Sequence, residues 1–186
     1  MKSKIGDLVI QIISVTIGVF LGFAISNWSE SSRERDKYQS LINNIRAEIR
    51  ENKSKIEQVI DYHKVIRDSS RAYVRLPVDD SYRPTFFRGI NTVIMVNSAY
   101  QTGIQTGLLA NMNLDQIQAI NDIYSKQNAY EDFTNLLLSG LITMDFEENA
   151  KSMRKIARYL AVSMTDVVIK EQQLLQSYEE ALVLLE

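Results

Sequence analysis

Hydrophobic and polar positions fall into three regimes along the chain. From Leu8 to Ile25 there is no charge; roughly eighteen residues at about 1.5 Å each give a helix close to the thickness of a hydrocarbon core. A charged run, "SESSRERDK", follows directly after Trp28. Beyond it Ile42, Ile45, Ile49, Asn52, Ile56, Val59, His63 and Ile66 recur at alternating steps of three and four. That spacing predicts a heptad seam on one helix from about residue 30 to about residue 75, continuous with the membrane segment or separate from it, facing a partner helix in the same or another chain. "RLPVDDSYRPT", which holds both prolines, ends that helix.

The remainder also reads as helical. "FFRGINTVIMVNSAYQTGIQTGLLANM" is apolar and rich in small residues, and its doubled "QTG" sets Gly103 and Gly107 four apart. They mark either a tight helix crossing or a helix end. Asn113 with Gln116 forms a capping-box-like pair for the next helix. Three apolar stripes follow, with only Gly140 interrupting: Ile117, Ile120, Tyr124, Phe133 and Leu137; then Phe146, Met153, Ile156, Tyr159 and Leu160; then Val168, Leu175, Tyr178, Leu182 and Leu185. Charge in "RAEIRENKSKIEQ" reads as a solvated face, and "DVVIKEQQ" places charge between apolar groups. The fold class expected is all-α: a single N-terminal transmembrane helix (residues 1–28), a long amphipathic or coiled-coil helix (29–76), and a helical bundle packing on it (77–186).

Within the apolar segment, Ser14, Gly18, Gly22 and Ser26 recur every fourth residue, and Gln11 and Asp7 extend the stripe towards the N-terminus. Small residues on one face let another backbone approach, so the stripe reads as a membrane-helix packing face, although such residues are common in membrane helices generally. Asp7 reads either as an intramembrane acid that relays protons or as a first-turn carboxylate favoured by the helix dipole. Trp28 suits an interfacial anchor. The segment lacks a good cleavage site, "AIS" being a poor match, so retention is expected over removal as a signal peptide. Lys2 and Lys4 form a short basic tail, which favours an extracytoplasmic C-terminal domain.

Composition narrows the chemistry. With 21 basic and 23 acidic residues interspersed, a net charge of -2 leaves no basic face for nucleic acid. Cysteine is absent, which removes disulfides and thiolate chemistry together. The single histidine, His63, has no second His and no Glu-x-x-His pair to build a triad, a zinc site or a di-iron site; it reads as a packed or rim residue. Asp145 with Glu148 is an ordinary surface pair. No catalytic, cofactor-binding or metal-ligating residue is assigned, and an enzyme is not expected.

Gly6-Asp7, Ile17-Gly18-Val19 and Asn27-Trp28-Ser29-Glu30 resemble the N-terminal signature of a bacterial family of small membrane-anchored helical proteins of uncharacterised function. That signature is a Gly-Glu or Gly-Asp pair, an apolar run with Ile-Gly-Val, and Asn-Trp-x-Glu. "SAYQTGIQTGLL" and "LDQIQAINDIYS" are similar to a middle segment of that family, and Ser29 departs from the family's usual second Asn. The resemblance implies a bacterial inner-membrane location and supplies no activity. Three functions stay open: assembly as a homo-oligomer or as an accessory subunit of a membrane complex; a membrane-anchored sensor or ligand-binding bundle using "LPVDDSYRP" and "QTGIQTG"; and an ion- or proton-coupled element using Asp7 and Gln11. The partners expected are membrane lipid and itself or another membrane subunit.

Overall fold

The computed structural model describes residues 2–77, 85–147 and 149–185, with side chains from residue 11 onward. The described residues form four α-helices and one 3-10 turn. Helix α1 runs Lys2–Arg75, α2 Ser98–Thr106, α3 Leu114–Ile142 and α4 Ala150–Leu184; the 3-10 turn is Leu108–Asn111. The chain divides into two compact units, Met1–Asn43 and Asn44–Glu186, and α1 contributes to both.

In the first unit, residues 11–28 are exposed throughout. The segment is long and apolar enough to cross a membrane by length and composition. The Thr16 hydroxyl donates to the Ile12 carbonyl at 2.8 Å, so this polar side chain is satisfied within its own helix. The side chain of Asp7 lies outside the described residues. Leu41 and Ile42, near the unit's end, are buried.

In the second unit α1 and α4 lie antiparallel. Lys53 pairs with Glu179 at 3.1 Å, His63 with Glu171 and Arg71 with Thr165, while Arg154 donates to the Leu76 carbonyl. The α3 and α4 helices are antiparallel too: Gln116 reaches the Leu184 carbonyl, Lys126 reaches Ser177, and Tyr159 donates to the Leu137 carbonyl at 2.9 Å. Hence α3 runs parallel to α1, and the chain must return along the bundle between them. That return is made by residues 88–97, a segment in neither helix nor strand.

Local chemistry sets the helix ends. Asn113 accepts from the Gln116 N–H at 2.9 Å and Asn149 from the Ser152 N–H at 2.9 Å, capping α3 and α4. The Gln116 side chain donates to Leu184 instead of returning to the cap, so only half of a capping box forms. Gly107 closes α2 at φ 72°, and Gly103 is buried inside that helix. The two glycines of the repeat therefore do different things. One member of the apolar stripes sits apart from the core, Phe146, which is exposed; Ile117, Phe133, Met153, Tyr159, Leu175 and Leu182 are half-buried.

Gly140 does not break α3, which continues to Ile142. A Cβ there would overlap the ring and hydroxyl of Tyr159 on α4. Glycine-to-alanine changes inside helices ordinarily stabilise by about 1 kcal/mol. Gly140→Ala is expected to destabilise by about 1–3 kcal/mol instead, through overpacking. In Gly140→Ala/Tyr159→Phe, which removes the overlapping hydroxyl, the penalty shrinks below the sum of the two single changes. Chemical denaturation of the full chain in detergent micelles measures both.

Candidate functional site

The seam residues of α1 lie inside the second unit from Ile45 onward. Ile45, Ile49, Asn52, Ile56, His63 and Ile66 have no solvent exposure, Val59 is half-buried, and Ile60 is buried beside it. What faces Asn52 and His63 is the backbone of the 88–97 strap. The Asn52 side chain donates from Nδ2 to the Val96 carbonyl at 2.7 Å, and its Oδ1 accepts from the Val96 N–H at 2.8 Å. One carboxamide thus satisfies both polar groups of one strap residue, as a β-strand neighbour would.

Other side chains continue the pattern. Lys55 donates to the Ile94 carbonyl, and the Tyr62 hydroxyl donates to the Gly89 carbonyl at 2.8 Å while accepting from the Arg88 N–H at 2.7 Å. On the α3 side, Glu131 accepts from the Met95 N–H, and the Tyr130 hydroxyl is hydrogen-bonded with the Val93 backbone. Residues 94 and 96 turn their backbone groups to α1 and residues 93 and 95 to α3, the alternation of an extended chain. Ile90 and Met95 are buried, while Ile94 is exposed. Gly89 at φ 94° and Asn91 at φ 54° bracket the Ile90 anchor; Asn tolerates this left-handed region better than most residues.

Two buried carboxylates complete the network. Glu48 on α1 accepts from the Ala99 N–H at 2.7 Å, from the Ser98 hydroxyl at 3.2 Å and from the Tyr124 hydroxyl. It therefore caps α2 from another helix, where the side chain of Asn97 makes no capping bond. Burial, and then the hydrogen bond to Glu48, push the Tyr124 hydroxyl well above the usual phenol range. The Tyr124 ring stacks on Tyr100 at 3.9 Å. Glu171 on α4 accepts from the Tyr130 hydroxyl at 3.1 Å and lies 2.6 Å from Nδ1 of His63. His63 Nε2 donates to the Ile90 carbonyl at 2.6 Å.

His63, Glu171 and Tyr130 have the residue types of an acid–base set, but none has any exposure to solvent. They join three helices and the strap. A cavity of about 210 Å³ lies against the strap, lined by Thr92, Val93, Ile94, Glu131, Thr134 and Asn135; two others lie away from it. One of about 240 Å³ is lined by Phe86, Phe87, Phe146, Met153, Ile156 and Leu160. Another, of about 630 Å³, lies at the start of α4 and is lined by charged residues of both signs, Asp145 and Glu147 with Lys151, Arg154, Lys155 and Arg158. Residues 78–84, most of "LPVDDSYRP", lie outside the described residues, as does Glu148. Among the described residues no group of three or more His, Asp or Glu is placed to hold a metal ion.

In the first unit, Gln11, Ser14, Gly18, Gly22 and Ser26 are all exposed, and a Cβ added at Gly18 or Gly22 would meet nothing within 4 Å. Trp28 is 77% exposed.

The sequence reading missed the strap and both carboxylates. Glu48 sits in the charged stretch taken as a solvated face, yet it lies three residues after Ile45 and four before Asn52 on the inward side. Glu171 falls three and four residues after Val168 and Val167, both buried. Helical spacing was the available signal in each case.

If Asn52 acted as a polar insertion in a coiled coil, Asn52→Leu would gain stability. Here Asn52→Leu and Asn52→Ala are each expected to cost about 2–4 kcal/mol, because two strap backbone groups lose their partners; urea denaturation distinguishes the signs. Comparison with family models, with curated proteins and with solved structures finds no match to this chain.

Proposed function

We propose that the protein is a non-enzymatic single-pass protein of a bacterial inner membrane. In this reading it assembles through its N-terminal helix, with itself or as an accessory subunit, and holds its helical bundle outside the cytoplasm. The observation that carries the reading is the exposure of the apolar side chains across residues 11–27, none of them buried among the described residues. Ile12, Ile13, Val15, Ile17, Val19, Phe20, Leu21, Phe23 and Ile25 are each more than half exposed. Removing such a side chain from water is worth roughly 1.5–3 kcal/mol, so this stretch calls for an apolar medium. The open Cβ positions at Gly18 and Gly22 support close approach of another helix on that side. The N-terminal resemblance supports the bacterial setting, and the short basic tail supports the orientation.

A ligand-binding bundle is the second reading. In its favour stands the apolar cavity between Phe86 and Leu160, which lies away from the "QTGIQTG" helix.

Chemical cross-linking in native membranes followed by sizing tests the assembly. The wild-type chain is expected to give a discrete multimer or a complex with another subunit. Gly18→Leu/Gly22→Leu is expected to lose most of it while the bundle stays folded. A strictly monomeric wild-type chain overturns the assembly reading.

A further inference from the structure

The His63 cluster contains a proton count that its geometry fixes. The Ile90 carbonyl can only accept, so Nε2 must carry a proton while their 2.6 Å hydrogen bond stands. On the other side of the ring, Nδ1 and Glu171 Oε1 are also 2.6 Å apart, which requires one proton between them. The pair is thus an imidazolium facing a carboxylate, or a neutral imidazole facing a carboxylic acid. Either way it holds one proton more than a neutral histidine beside a carboxylate.

Little else balances Glu171. Its Oε2 has no hydrogen-bond partner, and among the described residues no lysine or arginine pairs with it. The neighbouring Lys170 is directed over the Phe133 ring, 5.7 Å from its centroid. From α3 the cluster is faced by Tyr130, whose hydroxyl is held above the usual phenol range by burial and by the charge of Glu171, so it remains a donor. Tyr178 of α4 adds to that effect from farther away. From α1 it is faced by Tyr62, whose ring centroid lies 6.1 Å from that of His63 and whose hydroxyl is engaged by the strap. From the strap itself, residues 89–97 bring no titratable side chain, and Arg88 at its start is exposed and meets Tyr62 through its main-chain N–H.

We propose that the strap is latched by this proton: the His63–Ile90 bond is closed while the pair holds it and opens when it is lost. On loss to a solvent base, one ring proton remains for two claims. The charge-assisted bond from Nδ1 to the Glu171 carboxylate is the stronger, so the proton resides there and Nε2 turns a lone pair towards the Ile90 carbonyl. Two acceptors then face each other, and the strap detaches at the point where Gly89 and Asn91 already hold left-handed backbone. The sign follows: attachment is present at lower pH and is lost as pH rises.

The sole histidine makes the test direct. In full-length protein labelled with 15N-histidine in detergent micelles, both ring nitrogens are expected to begin as protonated or proton-sharing. Where a rise in pH removes the pair's proton, Nε2 is expected to become bare while amide protection factors from residue 90 to residue 96 fall about tenfold or more. Glu171→Gln supplies a neutral amide that donates to Nδ1 and leaves Nε2–H for Ile90 at every pH, so its strap protection is expected to stay within about twofold across the same range. Three outcomes overturn the latch: an unchanging His63 protonation state, a titration that leaves strap protection unaltered, or the wild-type pH profile in Glu171→Gln. If Glu171→Gln does not fold, the wild-type titration and protection decide by themselves.

Discussion

A chain that runs between two helices without itself being helix or strand must find partners for its backbone, and this requirement organises the second unit. Residues 88–97 carry N–H and C=O groups that have no ladder to join. Side chains from α1 and α3 satisfy them instead: Asn52, Lys55, Tyr62 and His63 on one side, Tyr130 and Glu131 on the other. Each buried group left unpaired would cost about 1–3 kcal/mol. The polar residues on the otherwise isoleucine-rich seam are therefore where the strap needs them, and the parallel course of α1 and α3 follows from the return path they support.

Much of the architecture was legible because helical periodicity reports burial directly. The run of isoleucines in α1, the cap at Asn113 and the apolar stripes of α3 and α4 follow from spacing and from the hydrogen-bonding habits of asparagine. The strap was not legible, because "INTVIMVN" is apolar without a helical period and its partners lie 27 to 44 residues away along the chain. Nor was the role of Asn52: the heptad shows that a polar side chain faces inward, but not whether it meets another helix or a main chain. Glu48 and Glu171 sat on inward positions that spacing alone marks, yet a carboxylate ordinarily signals solvent. Each is buried because it answers a specific donor, the first turn of α2 in one case and His63 in the other.

The two units present different surfaces. In the second, buried polar side chains such as Asn52, Glu48 and His63 are hydrogen-bonded, while Arg46 Nε, Ser70 Oγ and Glu171 Oε2 are not, and apolar side chains converge on Ile45, Ile56, Tyr130, Met164 and Tyr178. In the first, residues 11–27 turn apolar side chains outward, with Gln11, Ser14, Ser26 and Asn27 exposed among them and the hydroxyl of Thr16 folded back on its own helix. A helix so rich in outward apolar side chains suits either a protein core or a lipid phase, and among the described residues nothing covers it.

Because the strap is recognised through its main chain, its outward side chains carry little of the information that positions it. Ile94, open to solvent, is free to drift in size and polarity. Proline is different: at 95 or 96 it would delete an N–H that Glu131 or Asn52 accepts. The segment that fixes the path of the fold is thus tolerant of nearly any residue type at its surface positions, yet intolerant of one imino acid at its core.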